Sequence, residues 1–251
     1  MRRLALLTST LSLTLGPAQA QEPAAAPDRD PEAMAALDTM GASMRRLRSF
    51  AVHADITSEE VLKSGQKLQF GGTVDMAVRR PDGLLAAIQS DRAGRKFFYD
   101  GKTFTVLAPK LGYYAAFQAP PTLRETMRVA AEQYGIEIPL ADLFSWGEDR
   151  DQVEAIRTAF RVGSDVVNGA SCTHYAVRQP LVDWQIWINE AGDSLPCKLV
   201  ITDRRDAAMP QYTAVYRWTR SMRFAADHFR FAPPRGAYEI AIAAGAGKEG
   251  K

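Results

Sequence analysis

The feature that most constrains the fold is a pair of apolar segments joined by a short polar turn, Asp183 to Asp203. The first segment has the period of two that a β-strand requires, because large apolar residues recur at every second position: Trp184, Ile186 and Ile188. Glu190 to Ser194 has the composition of a turn, and Lys198 to Thr202 is rich in β-branched residues. The stretch therefore predicts the most apolar β-hairpin of the chain.

Similar alternating segments lie on both sides of this hairpin. They follow one another from Ser49 to Phe117, with turn sequences such as Pro81-Asp82-Gly83 and Asp100-Gly101 between them. Parallel strands need crossovers of about a dozen residues, so strands joined by turns this short must be antiparallel. The alternation resumes at about Ala155 and continues to a last predicted strand, Arg223 to Phe231. We predict ten or eleven antiparallel strands in all.

A helix is predicted in front of the first strand. Asp30 suits its N-cap and Pro31 its first position. Its apolar residues recur at steps of three and four: Met34, Leu37, Met40, Met44 and Leu47. A methionine-rich stripe of this kind is either ordinary core or an adaptable binding face, and both interpretations stay open.

A second helical region is predicted as an insertion between strands, at about residues 122–146. Thr122 and Glu125 match a capping box, Gly135 suits the end of that helix, and Pro139 to Trp146 is expected to form a further short helix. The expected fold class is α+β and mainly antiparallel β, a curled half-barrel with a helical lid or plug. A curled sheet cannot fill its own concave face with its side chains, so helices must cover that face.

Such a cover leaves room for an apolar cavity, which is a common kind of ligand site. Two interpretations of the insertion stay open, a lid over a ligand and a segment packed permanently as core. The candidate cavity residues are large apolar side chains of the strands and of the insertion: Phe50, Val52, Phe70, Met76, Tyr114, Leu140, Leu143, Phe144, Trp146, Trp184 and Ile186.

Both ends of the chain are expected to lie outside the folded domain. Residues 1–20 have the basic start, apolar run and small-residue site of a secretory signal peptide cleaved after Ala20. Residues 21–30 predict a disordered linker and residues 243–251 a flexible tail, which leaves a single domain over residues 31–242. No stretch of that domain approaches the roughly 18 apolar residues of a membrane span, so we expect an exported protein that does not cross a membrane.

Charge and motifs disfavour nucleic-acid binding and catalysis. Without Arg2 and Arg3 of the signal, 29 of the 31 basic residues remain against 29 acidic ones, and nucleic-acid binding would need a basic excess. Metal-ligand spacing is missing among the three histidines, and His53 and His174, which lie in strand patterns, are interpreted as structural. We therefore predict no catalytic residue, no metal site and no cofactor.

Cys172 and Cys197 leave two alternatives open, a disulfide and two buried free thiols. Exported proteins with two cysteines often pair them. However, the Trp184 strand separates the two predicted cysteine strands, and two strand spacings of about 9–10 Å exceed the roughly 7 Å limit for bonded Cα atoms. Both cysteines lie near the same end of the strands, where the intervening strand stops at about Asn189. We predict the disulfide.

Several segments resemble those of known envelope proteins. WQIWINEAGDSLPCKLVITD, with Asn168-Gly169 and CTHYAVRQP before it and Pro210-Gln211-Tyr212 after it, resembles the DUF2092 family of predicted periplasmic proteins. Phe97 to Lys102 resembles the segment found there and in the periplasmic lipoprotein carriers LolA and LolB. The ending Phe229-Arg230-Phe231 is similar too.

This resemblance implies a half-barrel of antiparallel strands with helices as a lid over an apolar cavity. Carriers of this architecture hold lipoprotein acyl chains, and relatives act as envelope-stress sensors that read lipoproteins. We therefore expect a periplasmic carrier for an apolar ligand, such as lipid or lipoprotein acyl chains, and not an enzyme. An envelope-stress sensor or regulatory protein with an envelope protein partner is the alternative, and a hydrolase is a distant third.

Overall fold

The described part of the chain contains three helices and twelve strands. The computed structural model describes residues 28–90, 94–136, 138, 140 and 150–242. The helices are α1 (Pro31–Arg46), α2 (Leu123–Tyr134) and α3 (Arg150–Glu154). The strands are β1 (Ser49–Val61), β2 (Lys67–Arg79), β3 (Gly83–Ser90), β4 (Gly94–Tyr99), β5 (Thr103–Ala108), β6 (Tyr113–Gln118), β7 (Thr158–Val167), β8 (Ala170–Arg178), β9 (Val182–Asn189), β10 (Pro196–Asp203), β11 (Gln211–Arg220) and β12 (Tyr238–Glu239).

These strands form one sheet in the order β12-β6-β5-β4-β3-β2-β1-β11-β10-β9-β8-β7. The eleven strands β1 to β11 pair antiparallel, which confirms the predicted meander and the fold class. The short strand β12, which the sequence analysis missed, pairs in parallel with β6. Because β1 lies between β2 and β11, the two halves of the sheet meet at the first strand of the chain.

The two faces of the sheet have different roles. The core face is defined by the alternating residues that join the main hydrophobic cluster, such as Val52, Val74 and Ile186. Helices α1 and α2 pack against this face, since their buried apolar residues belong to the same cluster. The outer face is defined by the residues between them, such as His53 and Asp75. The core therefore lies between one face of the sheet and its helical cover.

Helix α1 begins where the sequence predicts. The Asp30 side chain accepts a hydrogen bond from the backbone N–H of Glu32 at 2.9 Å, the geometry of an N-cap. Three residues of the predicted stripe, Leu37, Met40 and Met44, are each 1% exposed and lie in the main cluster. The stripe is therefore core in this structure.

The last predicted strand, Arg223 to Phe231, is wrong. Its residues form turns and irregular backbone. Phe229 is 1% exposed because its ring lies directly on Gly83, where an added Cβ atom would be 2.7 Å from Phe229 Cδ2. The guanidinium carbon of Arg79 lies 4.9 Å from the centre of the same ring. Aromatic residues that resembled a strand thus fasten an irregular segment to β3.

The chain ends differ in how much of them is described. Residues 28–30, predicted as linker, run beside β7, where Asp30 N–H donates to the carbonyl of Ala159 at 2.9 Å and Ala159 N–H to that of Asp28 at 3.0 Å. The signal peptide, the rest of the linker, the tail from residue 243 and most of the predicted helix Pro139 to Trp146 lie outside the described residues. None of the described helices is long and apolar enough to cross a membrane.

Candidate ligand-binding site

Most of the described candidate cavity residues meet in one cluster on the core face. Those of β1 and β9, together with Met76 of β2, are almost fully buried, and Leu140 of the insertion is 9% exposed: Phe50 0%, Val52 2%, Met76 3%, Trp184 8% and Ile186 0%. Phe70 is half-buried on the same face, where its register partner is Ser58. The other three candidates, Leu143, Phe144 and Trp146, lie outside the described residues.

Tyr114 does not belong to this group. It pairs with Leu107, whereas its neighbour Ala115 pairs with Val106, which packs against the main cluster. Tyr114 therefore lies on the outer face, where its ring centre is 4.9 Å from that of Phe231. The sequence of β6 has apolar residues in both alternations, so periodicity alone gave no basis for choosing the face.

Helix α2 is fixed to the sheet by hydrogen bonds at its N-terminal end. The backbone N–H of Leu123 donates to the carbonyl of Pro81 at 2.7 Å, and the Tyr99 hydroxyl donates to the carbonyl of Pro120 at 2.7 Å. The N-cap half of the predicted capping box is present, since Glu125 N–H donates to Thr122 Oγ1 at 3.3 Å; the Glu125 carboxylate accepts from the Thr122 hydroxyl at 2.8 Å. This end of the cover is firmly placed.

The other end of the cover packs mainly through apolar side chains. The helix ends at Gly135, which has the predicted left-handed conformation with φ of 63°. Tyr134 stacks on Phe117 of β6 with ring centres 4.5 Å apart, and Ile138 and Leu140 are 6% and 9% exposed within the main cluster. Leu140 has a φ of 71°, which is uncommon for a bulky residue. One end is thus bonded through its backbone, and among the described residues of the other end the contacts are apolar packing.

Two tyrosines on β11 are polar side chains within the apolar core face. The hydroxyls of Tyr212 and Tyr216 are buried and have no hydrogen-bond partner among the described residues. Burial raises the pKa of Tyr212 to about 12 and that of Tyr216 well above its ordinary value, with a further increase from Tyr212. The sequence analysis missed both, because a tyrosine in a strand gives no sign of whether its hydroxyl will find a partner.

Two pockets lie at the β9–β10 hairpin, one between the hairpin and the end of α1, the other between the hairpin, the β7–β8 turn and β11. Their volumes are about 240 and 290 Å³, and both are lined by Asp193, Leu195 and Arg220. The Arg220 guanidinium lies 3.2 Å from the Asp193 carboxylate, an ion pair between the hairpin and the end of β11. Because polar groups line them as much as apolar ones, these pockets differ from the predicted apolar cavity.

The outer face of the β9–β10 hairpin carries the predicted disulfide. Cys172 and Cys197 are bonded, with their Cα atoms 6.7 Å apart, and they pack with Trp187 and Val200. His174 stacks on Trp187 with ring centres 3.9 Å apart. The disulfide prediction is confirmed, and the free-thiol alternative is wrong.

Comparisons with known proteins give one family and several similar solved structures. A family model described as a predicted periplasmic protein, DUF2092, matches residues 33–243. No curated protein matches the chain. Among solved structures, the chain is similar to lipoprotein LppX of Mycobacterium tuberculosis, with 15% identity, 77% of this chain and 98% of that one covered, and a TM-score of 0.48.

Two further solved structures have similar coverage of this chain. LprF of Mycobacterium bovis is 14% identical, with 85% of this chain and 100% of that one covered and a TM-score of 0.46. MucB of Pseudomonas aeruginosa, in complex with MucA, is 14% identical, with 83% of this chain and 63% of that one covered and a TM-score of 0.43.

Proposed function

The chain belongs to the DUF2092 family of predicted periplasmic proteins. We propose that it is a periplasmic binding or carrier protein for an apolar ligand such as a lipid or lipoprotein acyl chain. The ligand is held between the core face and the cover formed by α2, Ile138 and Leu140. Binding consists of burial of the acyl chain, which is worth about 0.8 kcal/mol per methylene. No bond of the ligand is broken, and no cofactor is involved.

The observation that carries the proposal is the unequal attachment of the cover. Its N-terminal end is hydrogen-bonded to the sheet through Leu123 and Pro120, whereas the described residues after the helix, Ile138 and Leu140, contribute apolar packing. An acyl chain offers the core face the same kind of contact that these two residues make. A ligand is therefore able to replace them while the helix stays anchored at Leu123.

The proposal includes export. Removal of residues 1–20 leaves a mature chain that begins at Gln21, and N-terminal sequencing of the purified protein checks this point. The acyl lipids of the bacterial envelope are then within reach of the folded protein.

A regulatory role through a protein partner is the second candidate, and strand β7 favours it. This strand lies at one edge of the sheet and exposes three apolar side chains, Phe160 at 51%, Val162 at 51% and Val166 at 67%. Residues 28–30 pair with this edge at Ala159, and the edge beyond that pairing is the proposed site where a partner adds a further strand. Strand β7 lies at one end of the sheet, and β6, on which Tyr134 of the cover packs, lies near the other end. Such a partner would therefore bind far from the cover.

Lipid analysis tests the carrier role directly. Lipids extracted from natively purified protein are identified by mass spectrometry, and binding of cis-parinaric acid, its methyl ester and diphenylhexatriene is measured by fluorescence. We expect co-purified acyl lipid and saturable binding of these probes. Protein that carries no lipid and binds none of the probes would end the carrier proposal and leave the partner-binding candidate.

Two matched substitutions test the lid. Ile138→Asn changes the cover, and Ile156→Asn changes a core isoleucine near α3 that is 1% exposed. If the cover opens, the new amide of Ile138→Asn can reach water. We therefore expect Ile138→Asn to be less destabilising than Ile156→Asn, with a difference of at least about 1 kcal/mol in the free energy of unfolding. Ile138→Asn should also weaken probe binding. Equal destabilisation with unchanged binding would identify the cover as permanent core.

A further inference from the structure

We propose that the hydroxyls of Tyr212 and Tyr216 donate hydrogen bonds to an uncharged acceptor oxygen of the ligand, such as the ester carbonyl of an acyl lipid. This inference rests on the proposed carrier function, and it identifies the polar group that such a ligand carries. Tyr216 is 4% exposed, and its hydroxyl and that of Tyr212 are buried with no hydrogen-bond partner in the part of the chain that the structure describes.

The position of the two tyrosines places them within the candidate site. They are four residues apart on β11, so both side chains lie on the same face of the sheet. Tyr216 belongs to the main cluster and Tyr212 packs against it. Their register partners on β1 are small, Ala54 opposite Tyr216 and Ser58 opposite Tyr212. Ser58 in turn pairs with Phe70, another candidate cavity residue.

Unpaired hydroxyls at such positions need a physical reason. In folded proteins the large majority of buried polar atoms have a hydrogen-bond partner, because a hydroxyl that loses water without replacement destabilises the fold. Phenylalanine would fill the same space without that penalty. A ligand bound to the folded protein would supply the missing partner. This explains why two such hydroxyls lie on one strand.

The chemistry of the tyrosines selects an acceptor on the ligand. Because burial raises the pKa of both groups, they stay protonated at neutral pH and are available as donors. The cluster residues beside Tyr216 in the sheet are apolar, among them Ala54, Ala214 and Leu199. Tyr216 also lines the pocket of about 290 Å³, where the guanidinium of Arg220 is already paired with the Asp193 carboxylate. A carboxylate buried among them would lose its hydration, whereas an ester carbonyl loses far less. The ligand is therefore expected to be an acyl ester.

The test uses Tyr212→Phe and Tyr216→Phe with three fluorescent probes. Methyl cis-parinarate has an ester carbonyl, cis-parinaric acid a carboxyl group, and diphenylhexatriene no acceptor oxygen. For each variant we expect affinity for the methyl ester to fall about tenfold, the effect of one lost buried hydrogen bond, while affinity for diphenylhexatriene changes less than about twofold. The urea midpoint without ligand should stay equal to that of wild type or rise.

Tyr99→Phe is the matched control. Tyr99 is fully buried on the same face, but its hydroxyl already donates to the Pro120 carbonyl at 2.7 Å. This variant should have a lower urea midpoint and an unchanged ratio of ester to diphenylhexatriene affinity. The assignment to Tyr212 and Tyr216 would be overturned if all three variants lost affinity selectively for the methyl ester, or if none of them did.

The outcomes separate this inference from the carrier proposal. If wild type binds ester and hydrocarbon and the two β11 variants bind both as well as wild type does, the carrier role stands and the tyrosine assignment is wrong. Selective loss of the free acid instead of the ester would overturn the choice of an uncharged oxygen. Wild-type protein that binds no probe removes both proposals together.

Discussion

At the scale of single residues, two histidines of the outer face have pKa values shifted in opposite directions. The hydrogen bond that the His53 ring donates to the Asp75 carboxylate, with a further contribution from Asp55, raises the pKa of His53 above 6.5. Burial lowers the pKa of His174 below 6.5, and the nearby Lys198 lowers it further. Folding therefore favours the charged form of one histidine and the neutral form of the other.

These shifts predict opposite effects of pH in two variants. The contribution of His53 to stability is complete below its unfolded pKa of 6.5 and is lost as pH rises through the raised pKa of the folded state. His53→Gln should therefore destabilise the protein at about pH 5.5 and have little effect at about pH 9. The contribution of His174 to stability is complete above pH 6.5 and falls as pH decreases toward its lowered pKa. The stability of His174→Gln should therefore increase relative to that of wild type in acid. Urea unfolding at these two pH values measures both differences. The same direction of change in both variants would contradict the assignment.

Sequence patterns predicted residue roles well where a role depends on near neighbours. The N-cap Asp30, the N-cap half of the Thr122–Glu125 capping box and the left-handed Gly135 are all present. The unpaired hydroxyl of Tyr216 could not be predicted, because its surroundings come from strands far away in the sequence. Tyr114 was placed on the wrong face for a related reason, since only pairing with β5 decides which alternation of β6 faces the core.

At the scale of elements, the disulfide is explained by an irregularity in β10. Cys172 pairs with Asn189, the last residue of β9, and the pairing of β10 is interrupted between Pro196 and Lys198, where Cys197 lies. The two cysteines therefore meet across the end of β9, and their Cα atoms are 6.7 Å apart although β9 lies between their strands. The sequence predicted where β9 ends, but not the irregular position of Cys197.

The disulfide should contribute measurably to stability. The cysteines are 25 residues apart, and closing a loop of that size in the unfolded chain is worth about 3 kcal/mol in the chain-entropy model. We expect the double variant Cys172→Ala with Cys197→Ala to lose roughly this free energy of unfolding, and wild type in a reducing buffer to lose a similar amount. The double variant itself should not respond to the reductant. Wild-type protein with an unchanged urea midpoint after complete reduction would contradict this account.

At the scale of the whole molecule, the sheet consists of two meanders that meet at β1. Hairpins β2 to β6 and β7 to β11 are local pairings, and the sequence predicted them from alternation and turns. The pairing of β1 with β11 joins positions such as Phe50 and Arg220, which no turn connects. Local sequence therefore gave the two meanders, whereas their order around β1 and the return of β12 to β6 depend on the complete fold.

One shared core predicts that both meanders unfold together. Phe104 of β5 is fully buried, and three of the four tryptophans, Trp184, Trp187 and Trp218, lie beyond β1 in the other meander. Phe104→Ala should lower the free energy of unfolding by about 3–5 kcal/mol, and the urea midpoints from tryptophan fluorescence and far-UV circular dichroism should shift equally. Leu111→Ala, at a side chain 71% exposed, should stay within about 0.5 kcal/mol of wild type. A fluorescence midpoint that stays in place while the dichroism midpoint falls would mean that the two meanders unfold independently, in spite of the helices and the strand that they share.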